Sequence, residues 1–317
     1  MSSRSGAAYD HAMRNPADPG EHTLRISVGG RRREALLFVP PAREKDRLRP
    51  LVLVFHGAGS TGRLAAIATG FSEKAERERF FVVYPEGVRP DPQRRASFLR
   101  NPPFFNVGSK IGYAEEAGVD DGGFVRALLD ELCSSLPVDP CRIYATGFSN
   151  GASMAFLAAM ELPERIAAIG PVAGHLWRFS PVPTRPIPMI YIIGTADPLN
   201  PMSGGVVLSP WGRRELRPPV ERSVRTWAGW VGAEPRPRVI SAAAGVRRVR
   251  FAGGSTGADV DLITIQDAGH VWPGGPDILA ERIAGKRTDK LDATDVIWEF
   301  FTQHPKGASA AATHRRR

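Results

Sequence analysis

Two pentapeptides in this chain place a serine between glycines at G-x-S-x-G spacing, Gly147-Phe148-Ser149-Asn150-Gly151 and Gly253-Gly254-Ser255-Thr256-Gly257. At that spacing a serine can occupy a sharp strand-to-helix turn, with small neighbours relieving the crowding and the hydroxyl lifted above the sheet edge. A hydroxyl is a poor nucleophile at neutral pH, so it needs a base to take its proton during attack. That base should be a histidine, held in the right tautomer and balanced in charge by an acid. The chain has seven histidines: His11, His22, His56, His175, His270, His304 and His314. A serine, a histidine and an acid brought together would perform nucleophilic acyl transfer. Which of them can meet depends on the elements that carry them.

Residues 22–28 and 33–40 read as two short strands joined at Gly29-Gly30, a hairpin. The apolar runs 50–55 and 80–84 have strand length and the composition of strands covered on both faces, with helical character over 64–79 between them. Residues 86–118, rich in Pro, Arg, Asn and Gly, read as a long loop of the kind that shapes a binding surface. Helical spacing returns at 122–136, where Phe124, Leu128, Leu132 and Leu136 share a face, and Pro137-Val-Asp-Pro140 breaks it. A strand at 142–145 enters the first pentapeptide and a helix over about 152–161 leaves it. Strands at 166–173 and 188–194, a helix at 221–232, a hairpin of 246–251 with 260–266 and a last helix at 293–303 complete the pattern. Apolar strands alternating with helices predict crossover units and a mostly parallel sheet.

Only Ser149 has a strand before it and a helix after it; Ser255 lies between two strand-like segments and reads as a hairpin loop. Where a serine elbow tops such a sheet, the chain order is serine, then acid, then histidine. That order removes His11, His22 and His56, and His175 follows the elbow too closely to leave room for an acid-bearing strand. His304 and His314 lie at or beyond the final helix, which leaves His270 at the end of a strand, with Trp272-Pro-Gly-Gly275 stiffening the turn after it. The acid should lie at another strand's carboxyl end, where Asp197 follows the 188–194 strand and precedes Pro198. Asp259, Asp261 and Asp267 are its rivals, read as solvent-facing or turn residues. Donors for a developing oxyanion are expected from the backbone N–H of Asn150 and from the loop His56-Gly57-Ala58-Gly59, with Ala58 favoured.

With these residues placed, the chain resembles the poly(3-hydroxybutyrate) depolymerase and feruloyl-esterase-like branch of the α/β-hydrolases. The matching pieces are Val52-Leu-Val-Phe-His-Gly57, Val119-Asp-Asp-Gly-Gly-Phe124, the run from Val138 to Gly151, Gly194-Thr-Ala-Asp-Pro198, Ala268-Gly-His-Val-Trp-Pro-Gly-Gly275 and the run from Asp292 to Phe301. The resemblance implies an α/β-hydrolase fold with a mostly parallel central sheet, helices on both faces and no large lid. It also implies the triad Ser149, Asp197 and His270, no cofactor and no metal, and acyl transfer to water through an acyl-enzyme. Feruloyl, acetyl or 3-hydroxybutyrate-oligomer esters are the expected substrates, which the sequence does not rank. A serine peptidase of the same fold and a non-catalytic binding protein on a hydrolase scaffold stay open as alternatives.

The loops 86–118, 174–187, 199–220 and 271–288 should build the substrate pocket, with Phe105, Trp177, Trp211 and Trp272 as candidate lining, Trp272 first because it lies two residues from His270. Residues 21–305 read as one catalytic domain, 1–20 as a flexible lead-in and 306–317 as a disordered basic tail. The net charge of +9 comes mainly from arginines spread through the chain without a nucleic-acid-reading motif, so a solvated surface and no nucleic-acid partner are expected. No run of 18 apolar residues occurs and the first 22 residues lack the apolar core of a signal peptide, so no membrane span and no export are expected, although members of the resembling family are often secreted. Cys133 and Cys141 read equally as a disulfide or as two free thiols.

Overall fold

A computed structural model describes residues 18–41, 47–276 and 278–307. The expected lead-in, apart from residues 18–20, and the expected tail from residue 308 lie outside the described residues.

The first half of the domain comprises strands β1 (Gly20–Val28), β2 (Arg31–Val39) and β3 (Arg49–Phe55), helices α1 (Gly62–Thr69) and α2 (Phe71–Glu78), strand β4 (Phe81–Pro85), helices α3 (Tyr113–Glu116) and α4 (Asp121–Ser135), strand β5 (Val138–Phe148) and helix α5 (Asn150–Glu161). The second half adds β6 (Ala168–Val172), β7 (Met189–Gly194), β8 (Gly205–Leu208), β9 (Arg214–Arg217), α6 (Val220–Trp230), β10 (Arg238–Ala243), β11 (Val246–Phe251), β12 (Val260–Ile265), α7 (Glu281–Ala284) and α8 (Ala293–Gln303). Ten of these strands form one sheet in the order β1-β2-β4-β3-β5-β6-β7-β12-β11-β10. Its centre, from β4 to β12, is parallel, and antiparallel pairs close both edges. Every residue of β3, β4, β6 and β7 is buried, as helices on both faces require.

Three departures from the predicted elements have local causes. The single helix expected over 64–79 is two, because Gly70 takes a left-handed conformation (φ 64°) and caps α1 before α2 starts. Strand β5 begins at Val138 rather than Arg142: Val138 pairs with Arg49 across an irregularity in the register, which accommodates Pro140. The small hairpin β8–β9 and the edge strand β10 were not expected, since both are mostly exposed and lack an apolar alternation. Cys133 and Cys141 are both free and exposed.

The β1–β2 hairpin is tied to the rest of the domain by a buried ion pair. Arg33 on β2 donates to Asp121 Oδ1 at 2.6 Å and to the Glu86 carbonyl at 2.9 Å, and its guanidinium lies 4.1 Å from the centre of the Phe124 ring. Asp121 Oδ2 accepts the Asn106 N–H at 2.7 Å, so one carboxylate joins β2, α4 and the loop after β4. Removing one partner of such a pair leaves the other charge buried and uncompensated. Asp121→Ala is therefore expected to lower unfolding free energy by about 3–5 kcal/mol, and Arg33→Met/Asp121→Leu to recover most of that loss. Denaturant titration decides it, and a loss below about 1 kcal/mol for the single variant would show the pair is not a structural tie.

Candidate active site

Ser149 is the residue between β5 and α5, at φ 56° and ψ −116°, a conformation that an L-residue avoids. Its N–H donates to the Val172 carbonyl at 2.9 Å, which pins the turn to β6. The flanking glycines are sterically required. A Cβ on Gly147 would come within 2.5 Å of the Gly151 carbonyl oxygen, and one on Gly151 would run into the carbonyls of Phe55 and His56. Helix and sheet thus approach closely enough to make the turn, and the serine sits at its apex.

His270 and Asp197 come from the loops after β12 and β7, neighbours in the sheet. Thr195 and Ala196 donate to the carbonyls of Ile265 and Ala268, and Gly269 donates to Lys286, so the two loops are laced together. His270 Nδ1 lies 2.8 Å from Asp197 Oδ2, and both side chains are buried. Asp197 Oδ1 also accepts the N–H groups of Leu199 (2.8 Å) and Asn200 (2.7 Å), which fixes the carboxylate's direction. The His270 ring packs on Phe148, the residue before Ser149, with centroids 4.6 Å apart. Ser149 and His270 line one cavity of about 160 Å³, and Ala58 and Asn150 line it too.

The three rival acids are engaged elsewhere. Asp261 is fully buried rather than solvent-facing and pairs with Arg248 and Arg250, because those arginines come from the adjacent strand β11. Asp259 caps the Gly253 N–H and Asp267 is exposed at a left-handed turn.

The backbone N–H groups of Ala58 and Asn150 have no hydrogen-bond partner among the described residues. His56 holds the first of them in place. Its Nε2 accepts the Gly87 N–H at 2.9 Å, so the ring proton is on Nδ1, which donates to the Gly57 carbonyl at 2.8 Å. In a trans peptide the carbonyl and the following N–H point opposite ways, so this bond turns the Ala58 N–H away from His56. The Gly57 turn is close to the serine: a Cβ there would lie 3.5 Å from Ser149 Cβ.

All four loops expected to form the pocket contribute to the cavity, through Phe98 and Ile111, His175 and Trp177, Leu199 and Trp211, and Ile278 and Leu279. The aromatic assignments need two corrections. Trp272 does not line it: the ring is turned into the core against Phe71, where its N–H donates to Thr294 Oγ1 at 3.0 Å and ties α8 down. Phe105 is fully buried beneath the cavity against Phe55 and His56. Its backbone is bracketed instead by the Asn150 side chain, which accepts from Phe105 N at 2.8 Å and donates to its carbonyl at 3.2 Å. The sequence pattern pointed to Asn150 only for its N–H, to His175 only as an excluded base, and not at all to Glu215 and Arg217, which also line the cavity. For the last two no signal existed, because the hairpin that carries them was not legible.

A strand–elbow–helix serine over a parallel sheet, with an acid and a histidine from later strands, defines an α/β-hydrolase. The chain belongs to the phospholipase/carboxylesterase family, whose pattern matches residues 41–213. It is a hydrolase of carboxylic esters. It is 31% identical to a Nocardia uniformis subsp. tsuyamanensis protein named "Putative esterase NocK", over 91% of this chain and 85% of that one. It is 26% identical to feruloyl esterase B of Piromyces equi over 75% of this chain, spanning 42% of that longer protein. Among solved structures, acetyl xylan esterase from Aspergillus awamori shares the fold with a TM-score of 0.54 at 16% identity, covering 75% of this chain and 89% of that one. No helix among the described residues is long and apolar enough to cross a membrane.

A carboxyl group beside His56 makes stability depend on pH. Glu86 accepts the Gly62 N–H at 2.8 Å through Oε1, and its Oε2 lies 3.6 Å from His56 Nε2. Burial raises the Glu86 carboxyl to about 7, against an ordinary value of 4.5, while burial lowers His56 to about 4. The folded state then holds a proton on Glu86 that the unfolded chain has released, so this group's contribution to stability falls as pH rises from about 4.5 to 7. Glu86→Gln, which cannot ionise, is expected to melt near the wild-type temperature at pH 5 and above it at pH 8. Thermal melts at the two pH values check this, and an equal shift at both would contradict it.

Proposed function

We propose that this protein is a serine esterase that cleaves carboxylic esters of the feruloyl, acetyl or 3-hydroxybutyrate-oligomer kind through an acyl-enzyme. The observation that carries the reading is the buried 2.8 Å contact between His270 and Asp197 in a cavity that Ser149 also lines. In the first step Ser149 Oγ attacks the ester carbonyl carbon and its proton passes to His270 Nε2. Asp197, bonded to Nδ1, stabilises the imidazolium and holds the ring so that Nε2 is the basic nitrogen. The N–H groups of Ala58 and Asn150 donate hydrogen bonds to the carbonyl oxygen and stabilise the negative charge that develops on it. Collapse of the tetrahedral intermediate expels the alkoxide, which takes the proton back from His270 and leaves as alcohol. A water then repeats the sequence on the acyl-Ser149 ester and releases the acid.

Trp177, Trp211 and Phe98 give the cavity an apolar lining against which an acyl or aryl group can pack. The sequence similarity to feruloyl esterase B supports the substrate class.

Ser149→Ala is expected to lose labelling by a fluorophosphonate probe and to lower kcat by about a millionfold, the loss known for removal of a triad nucleophile. Asp197→Asn should cost about 10⁴-fold, since an amide favours the wrong imidazole tautomer. Turnover of a p-nitrophenyl ester should far exceed that of a peptide amide. Equal labelling of wild type and Ser149→Ala, or faster cleavage of the amide, overturns the proposal.

A further inference from the structure

A second polar cluster in the same cavity is used by none of these steps. Glu215 and Arg217 lie on β9, and Arg217 Nη2 contacts Glu215 Oε2 at 2.6 Å. Both side chains are nearly buried, Arg217 at 12% and Glu215 at 8% exposure. Arg217 Nε donates to the Leu199 carbonyl at 3.1 Å, and its guanidinium sits 5.8 Å from the centre of the Trp177 ring. The ion pair has only one prong. Glu215 Oε1 and Arg217 Nη1 are shielded from solvent and have no hydrogen-bond partner among the described residues. His175, whose ring meets Trp177 edge-on at 5.4 Å, is 1% exposed; among the described residues neither of its ring nitrogens makes a full hydrogen bond, and the Asn200 side chain is the polar group that interacts with it.

Folded proteins pair nearly all their buried polar groups, because leaving one bare forfeits its hydration without return. Among the described residues, four of the five bare buried side-chain polar atoms belong to these three residues, on the wall of the cavity that holds Ser149. Such a concentration marks a place where a partner arrives from outside.

We propose that Glu215, Arg217 and His175 form a subsite that recognises a hydroxyl group on the ester substrate. The proposal rests on the esterase reading of the same cavity and names what that cavity selects. Glu215 Oε1 is a free acceptor and Arg217 Nη1 a free donor, and a hydroxyl is the neutral group that can donate to the first or accept from the second. A carboxylate on the substrate would meet the Glu215 oxygen, an ammonium would meet the guanidinium, and an alkyl group would leave every one of these atoms bare. The ion pair is neutral overall, which matches a neutral ligand group. His175 is neutral as well, since burial, reinforced by the Arg217 charge, lowers it to about 4; it offers one further donor and one further acceptor. Both charged side chains end in rotatable bonds, so their free atoms can turn to an entering hydroxyl. Glu215 also lines a second cavity of about 270 Å³ beyond Trp211, which gives the hydroxyl-bearing group room to continue.

The test compares matched esters: ethyl 3-hydroxybutyrate with ethyl butyrate, and methyl 4-hydroxycinnamate with methyl cinnamate. In at least one pair the hydroxylated ester should have the higher kcat/KM by about 10- to 100-fold, the worth of one hydrogen bond to a charged group. Glu215→Gln should cut that ratio at least about tenfold, and it should raise relative turnover of monoethyl succinate, whose carboxylate can now meet an uncompensated guanidinium. That gain is one a merely damaged fold would not produce. Ratios near one for both pairs in the wild-type enzyme, or a preference that survives Glu215→Gln, overturn the subsite. Ser149→Ala run alongside separates the two claims: if it retains turnover the esterase mechanism fails, whereas if it is inactive and the ratios are near one only the subsite fails.

Discussion

Ser149 is held at positive φ, and the surrounding molecule is what keeps it there. A strained backbone persists only where its neighbours over-determine it. Here the neighbours are the carbonyls of Phe55 and His56 on one side and that of Val172 on the other, from the two strands flanking β5. Helix α5 can approach them because Gly147 and Gly151 have no side chains. The same close approach sets the Gly57–Ala58 loop beside the serine, so the turn that exposes the proposed nucleophile also brings in the proposed oxyanion donor. Nucleophile and donor are therefore consequences of one packing arrangement.

Around that centre, buried charge is used as structural ties. Asp121 joins the N-terminal hairpin to α4 through Arg33, and Asp261 gathers Arg248 and Arg250 on the far side of the sheet. Each of these carboxylates meets its arginine partners fully, as burial demands. The Glu215–Arg217 pair differs: it is nearly buried, sits in the cavity wall and is left half satisfied. A tie made for stability has no reason to leave a donor and an acceptor bare, whereas a ligand site has.

Much of the sheet was legible because its central strands are buried on both faces and read as unbroken apolar runs. The exposed pieces were not legible. Strand β10 has every residue exposed, and β8–β9 pairs only with itself, so neither imprints an alternation on the sequence. The same distinction explains the aromatic residues. Trp272 was expected in the cavity from its proximity to His270 and Phe105 from its place in the 86–118 loop, but which way a large ring turns depends on whether the core offers it space and, for an indole, a hydrogen-bond acceptor. Thr294 provides that acceptor, and it belongs to a helix more than twenty residues later.

Chain order and local turn chemistry by themselves determined the fold class and selected Ser149, Asp197 and His270, since a strand–serine–helix elbow needs small residues at fixed spacing and the acid and base must follow on later strands. Tertiary structure alone decided what surrounds them. It set the ring of His56 against the Gly87 N–H, turned the Asn150 side chain onto Phe105, and brought Glu215 and Arg217 to Trp177 and His175. These contacts join segments tens of residues apart, and no local pattern encodes them. They follow from the packing of loops whose positions are fixed only once the sheet beneath them has formed.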